Sequence, residues 1–115
     1  MPLPILIAAA LAQTAAAPAL TPEAADARCV VILGFIAKQP NQPAARLEAV
    51  KTGTAYYLGK LRGRRPGINL VDTLNTAANR AQTEKADVVK ESQRCGGELS
   101  ALAAATGPAA SPRKP

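Results

Sequence analysis

The stretch Val88-Val89-Lys90-Glu91-Ser92-Gln93-Arg94-Cys95-Gly96-Gly97-Glu98-Leu99-Ser100-Ala101-Leu102 decides the fold. Val88, Ser92, Cys95, Leu99 and Leu102 recur at intervals of four, three, four and three, a spacing that lines up side chains along one stripe of an α-helix. Cys95 therefore points inward. A second segment repeats the device: Ala25, Cys29, Ile32 and Ile36 are separated by four, three and four, with Phe35 flanking, so Cys29 lies on the inner stripe of an earlier helix. Gly96-Gly97 weakens the later helix by about 1 kcal/mol per glycine relative to alanine and leaves room for another helix to approach near Cys95.

Working outward, the chain reads as helices with no strand. Thr21 is a capping residue, Pro22 suits the first helical position and Glu23 complements the helix dipole, so the first helix opens there and stops near Gln39. Pro40 to Pro43 form a connector, after which Leu47, Val50, Thr54, Tyr57, Leu58 and Leu61 trace one face of a second helix, with Gly63 as the residue just past its end. Pro66-Gly67 reads as a turn in which glycine supplies a positive φ. Asn69 caps a short third helix carrying Leu70, Leu74, Ala77 and Ala78, and Thr83 is placed to cap the fourth. The expected fold is all-α, a small four-helix bundle with one disulfide joining the first and last helices. Its expected core is Ile32, Phe35, Ile36, Leu47, Val50, Leu58, Leu61, Leu74, Val88 and Leu99, contiguous around the two cysteines.

Composition explains why a cross-link matters. Of 115 residues 26 are alanine, and Leu, Ile, Val and Phe together number 24, five of them within the first eleven positions. One domain with a thin core is what this inventory supports, and such a chain gains most from a staple. Cys29 and Cys95 are the only cysteines. No C-x-x-C occurs, so a thioredoxin-type motif is excluded, and charged Glu23, Asp26 and Arg28 separate Cys29 from the N-terminal apolar run, which excludes a lipoprotein cysteine. A disulfide closing so long a loop stabilises by about 4 kcal/mol in the chain-entropy model. The alternative is two buried free thiols in a cytosolic bundle.

The first twenty residues carry no charged side chain, and Leu3, Ile5, Leu6, Ile7 and Leu11 make a short apolar run. This reads as a signal peptide over residues 1–16, cut between Ala16 and Ala17; a cut after Ala12 is the other small-residue option. A retained Ala-rich helix and a membrane anchor are the alternatives. A span needs about 20 predominantly apolar residues, whereas Gln13, Thr14 and Pro18 interrupt this run, so no stable membrane span is expected after cleavage. The folded domain is expected over 21–105, with a disordered tail over 106–115, in a periplasmic or secreted protein.

Charge is unevenly distributed. Between Glu48 and Asp72 lie five basic residues, Lys51, Lys60, Arg62, Arg64 and Arg65, and no acid, so most of the net charge of +6 resides there. Lys60, Arg62, Arg64 and Arg65 are the candidate anion-binding residues, aided by Tyr56 one helical turn before Lys60. The competing reading is structural, since cations in a last turn complement the helix dipole. If the helix continues through Arg62, that side chain points away from Lys60 and Arg64, two residues being about 200° of helix.

Other chemistry is absent from the pattern. With no His and no Trp, serine-triad, Cys-His and zinc-hydrolase sites are excluded; no catalytic residue, cofactor or metal ligand is assigned. The run Gly53 to Leu61 mimics a phosphate loop but has one residue too many between its glycines and Leu61 where Ser or Thr must bind magnesium. All eight acids read as caps or polar-face residues. DNA binding is not expected, because the segment after the basic turn, Ile68 to Ala78, carries Asp72 and no cation.

Arg28-Cys29, then Tyr57-Leu58-Gly59-Lys60-Leu61-Arg62-Gly63-Arg64 with Pro66-Gly67, then Arg94-Cys95-Gly96 together resemble a group of small, exported, helical two-cysteine proteins of alphaproteobacteria, over residues 28 to 99. The resemblance implies a compartment and a fold class and supplies no activity. A looser similarity is to periplasmic acid-stress chaperones, small helical proteins with one disulfide; those depend on many carboxylates, and this chain has eight acids and a pI near 9.8. The expected function is a non-enzymatic protein-interaction module with a protein partner. The alternative is a binder of anionic envelope polymers through the basic turn.

Overall fold

The computed structural model describes residues 19–106. Among these residues four helices follow one another, α1 (Pro22–Ala37), α2 (Ala44–Arg64), α3 (Leu70–Thr83) and α4 (Val88–Thr106), and there is no strand. The expected signal peptide over 1–16 lies outside them, as does the expected tail apart from Thr106, which is the last residue of α4 and whose hydroxyl donates to the Leu102 carbonyl at 2.8 Å.

Local chemistry sets the boundaries. Thr21 Oγ1 accepts a hydrogen bond from the Ala24 amide at 3.1 Å, Pro22 occupies the first turn and Glu23 sits beside it. Asn69 likewise accepts from the Asp72 amide at 3.0 Å and opens α3. The end of α2 differs from expectation: Gly63 lies within the helix, which runs through Arg64. The chain then turns by a 2.9 Å bond from the Ile68 amide to the Arg65 carbonyl, and Gly67 has no positive φ, so the turn is of the type open to most residues.

The junction of α3 and α4 is the main correction. Thr83 closes α3 instead of opening α4. The Lys85 amide donates to Gln82 and the Ala86 amide to Ala81, while Lys85 takes φ 54°; these paired bonds with a left-handed residue form a Schellman stop. Lysine stands where glycine is usual, and for that reason no glycine marks the break in the sequence. Asp87 is the true cap of α4, its Oδ1 accepting from the Lys90 amide at 3.1 Å.

α1 is the central helix and packs against each of the other three. A disulfide joins it to α4 between Cys29 and Cys95, with Cα atoms 5.7 Å apart and both residues fully buried. The core is two clusters and not the single one expected. One gathers Cys29, Leu33, Val50, Tyr57 and Cys95; the other gathers Ala27, Leu61, Ile68 and Ala77; Val30 packs against both. Of the expected core, Phe35 is 50% and Leu47 37% exposed. Leu47 lies in the opening turns of α2, which are exposed up to Val50, and Phe35 lies at the edge of α1 in a groove with Ala78 and Lys85. The close helix approach is at Gly53, where an added Cβ meets Leu99 Cδ1 at 2.8 Å, while Gly96 and Gly97 have open space around them.

Candidate functional site

The four candidate cations end α2 as the sequence suggests, but three of them are neutralised in space. Lys60 is half-buried, and its Nζ donates to Asp26 Oδ1 at 3.1 Å and Glu98 Oε2 at 2.6 Å. Arg64 donates to Asp26 Oδ2 at 2.8 Å, and Arg65 grips both oxygens of Glu23 at 3.0 and 2.8 Å. Lys60 and Arg64 share a face because they are four residues apart; Arg62 points elsewhere, is exposed, and makes no ion pair among the described residues. The counter-ions come from α1 and α4, distant in sequence, so charge that is uncompensated along the chain is compensated in space for three of the four cations. Asp26 itself is 4% exposed, so the reading of every acid as a cap or polar-face residue is corrected too.

Two tyrosines complete this cluster. Tyr56 donates to Glu98 Oε2 at 2.6 Å, and Lys60 Nζ lies 5.5 Å from the Tyr56 ring centre and 5.6 Å from that of Tyr57, within cation–π range. The rings meet edge to face, 4.9 Å between centres. Burial opposes the charge on Glu98, but hydrogen bonds from Lys60 and Tyr56 outweigh it and hold the carboxyl below its ordinary value. Burial likewise opposes the Lys60 ammonium, and its bonds to Glu98 and Asp26 still raise it. The hydrogen bond to Glu98 raises the Tyr56 phenol, and burial raises Tyr57. The cluster is thus fixed in one charge state around neutrality, which suits a brace better than a proton relay.

A second charged cluster escaped the sequence reading. Arg28, 5% exposed, donates from Nη2 to Glu84 Oε1 at 2.8 Å, and its Nη1 stands 3.9 Å from Glu91. Arg80 also pairs with Glu84, and Arg94 with Glu91 at 2.6 Å. Hydrogen bonds from Arg80 first, then Arg28, keep the Glu84 carboxyl below its usual value. Three helices are stitched together by these pairs. The repeated Arg-Cys doublets, Arg28-Cys29 and Arg94-Cys95, were the available signal.

The apolar surface has a groove of about 390 Å³ between α2 and α4, lined by Ala49, Gly53, Tyr56, Leu99, Leu102 and Ala103 among others. Leu102 is 40% exposed there. Residues 44–49 of α2 and 101–106 of α4 are exposed throughout, so the helix ends flanking the groove are open to solvent. Among those residues no helix is long and apolar enough to cross a membrane, and no cluster of three His, Cys, Asp or Glu is placed to hold a metal ion. No family model matches the chain, and no curated protein or solved structure matches it either.

Proposed function

We propose that this protein is an exported, disulfide-braced helical module without catalytic activity that binds the apolar face of an amphipathic helix of a partner protein. The α2/α4 groove carries this reading. It is bounded by two exposed helix ends and floored by small and apolar side chains, the shape into which a third helix packs by ridges into grooves. The buried disulfide supports a periplasmic or secreted location, since such bonds persist in oxidising compartments. Pairing of Lys60, Arg64 and Arg65 within the fold weighs against the alternative of an anionic envelope polymer held on the basic turn, because little of that charge is left over for a ligand.

Site-specific photo-crosslinking in the native host tests this. A photoreactive residue at Ala103 is expected to give a protein adduct that survives high salt and disappears when Leu102→Asp is added, while one at Arg62 gives none. Adducts only from position 62, lost as salt is raised, would transfer the function to the basic turn.

A further inference from the structure

A groove of about 300 Å³ that shares no residue with the α2/α4 groove runs between the second half of α1 and α3. Ile32 and Phe35 supply one wall, Ala78 and Ala81 the other, and Lys85 and Val88 line it from the junction with α4. Ile32 is buried, whereas Phe35 keeps 50% of its surface in water. Apolar residues scattered singly over a surface are ordinary, but here they converge on one concavity. The volume sits at the lower end of the range for small-molecule sites. At roughly 30 Å³ per heavy atom, the share of a water molecule in the liquid, it suits one alkyl chain with a small head group.

Lys85 is the one charged residue that lines the groove. It is exposed and makes no ion pair among the described residues. The acids nearest in the chain are engaged elsewhere: Glu84 binds Arg28 and Arg80, and Asp87 Oδ1 accepts from the Lys90 amide as the cap of α4. Over residues 31–38 and 78–90, the segments that build the groove and its ends, the cations are Lys38, Arg80, Lys85 and Lys90 and the acids are Glu84 and Asp87. The balance there is positive, and Arg28 adds to it. Backbone geometry marks the same lysine. Lys85 holds φ 54°, which is unfavourable for an L side chain and free for glycine, the residue usual at such a helix stop. Local strain of this kind collects at ligand-binding positions.

We propose that this groove binds a single-chain anionic amphiphile, a medium-chain fatty acid of about eight carbons by the volume argument, with its alkyl chain along Ile32, Phe35, Ala78 and Val88 and its carboxylate paired with Lys85 at the open rim. Lys85 stands at the stop of α3 because its ammonium holds the head group, at the expense of the relaxed backbone that glycine offers there. This site is independent of the helix-binding groove between α2 and α4.

An amide-resolved NMR titration of the disulfide-bonded protein with octanoate tests the site, with octanol and octyltrimethylammonium as uncharged and cationic controls. The expected result is saturable shifts at the amides of Ile32, Phe35, Ala78, Ala81 and Val88 with octanoate, weaker ones with octanol and none with the cation. Affinity is expected to rise about fivefold from hexanoate to octanoate, since the open groove covers each methylene only in part. Lys85→Gly is expected to weaken octanoate about tenfold, the loss of one charge-assisted contact, to leave octanol unchanged and to raise the melting temperature, because glycine relaxes the backbone while the ammonium is lost. A lysine with only a structural role would move the melting temperature and not the octanoate affinity. Phe35→Ser, at a half-exposed position, is expected to weaken octanoate and octanol alike with the fold intact by circular dichroism. Absence of saturable shifts up to tens of millimolar octanoate, equal binding of the cationic control, or undiminished octanoate affinity in Lys85→Gly overturns the proposal. Sedimentation with phosphatidylglycerol vesicles without any response to octanoate also overturns it, and gives this face to a membrane surface.

Discussion

The hydroxyl of Tyr57 donates a 2.7 Å hydrogen bond to the carbonyl of Cys95, both residues being fully buried. α2 is thereby tied to α4 at the very residue that ties α4 to α1. Tyr57 is the largest of the fully buried side chains, and in a core this thin it both fills space and closes the link between three helices.

Tyr57→Phe keeps the ring and removes only the hydroxyl, so it is expected to lower unfolding free energy by about 1 kcal/mol. Tyr57→Ala, which empties the site, is expected to lower it by about 3–5 kcal/mol. Urea denaturation followed by circular dichroism measures both; equal losses for the two variants would show that the ring contributes nothing.

The glycines separate by environment. Gly97→Ala is expected to stabilise by about 1 kcal/mol, because the site is exposed, helical and surrounded by open space. Gly53→Val is expected to destabilise by about 1–3 kcal/mol through overpacking, since even a Cβ there meets Leu99 at 2.8 Å and Leu33 at 3.1 Å. Thermal melts that rank the two variants in the opposite order would mean that α2 and α4 do not meet at Gly53.

The ion pairs at the end of α2 predict that its cations are unequal. Asp26→Asn strips a buried carboxylate from both Lys60 and Arg64; the partners keep some solvent, so the expected loss is about 2 kcal/mol, below that for a fully enclosed pair. Arg62→Gln is expected to change stability by less than about 0.5 kcal/mol. Chemical denaturation of the two single variants decides whether α1 is held by these pairs.

Stability is expected to form a plateau around neutral pH with a shoulder on each side. Glu23, through its bond from Arg65, Glu84, through Arg80 and Arg28, and Glu98, through Lys60 and Tyr56, are all held below the ordinary value of 4.5. Their contribution is complete above about pH 4.5 and lost as pH falls through the lowered values. Tyr56, Tyr57 and Lys60 are raised above ordinary values of 10.0 and 10.5, so their contribution is complete below about pH 10 and lost as pH rises further. Melting temperatures across pH at constant ionic strength check this; a maximum below pH 4 would contradict it.

The helical stripes through Cys29 and Cys95 were legible because apolar spacing and capping residues are local signals. The Schellman stop at Lys85 was not, because its left-handed residue is a lysine, and local chemistry offered Thr83 as an equally good cap. The basic turn misled for a different reason. Charge counted along the chain shows five cations without an acid, but Glu23, Asp26 and Glu98 reach Lys60, Arg64 and Arg65 only through tertiary packing. Buried Arg28 is the same lesson in reverse, a charge whose partners Glu84 and Glu91 lie on the other side of the chain. Leu47 lies on the apolar stripe of α2 and Phe35 flanks that of α1, yet a thin core around Tyr57, Leu61 and the disulfide has too little lateral extent to cover them.

The bracing role of the disulfide predicts that replacing both cysteines with serine lowers stability by about 2–5 kcal/mol. A marginal loss in denaturant titration would mean that packing and ion pairs alone suffice.

The most direct test is the intact mass of the protein purified from its native host, with thiol labelling in denaturant. A single disulfide in an exported protein predicts a chain that begins at Ala17, is two hydrogens lighter than its reduced form, and gives no labelled cysteine until a reductant is added. An uncut chain with both Cys29 and Cys95 labelled would contradict the disulfide and the export reading together.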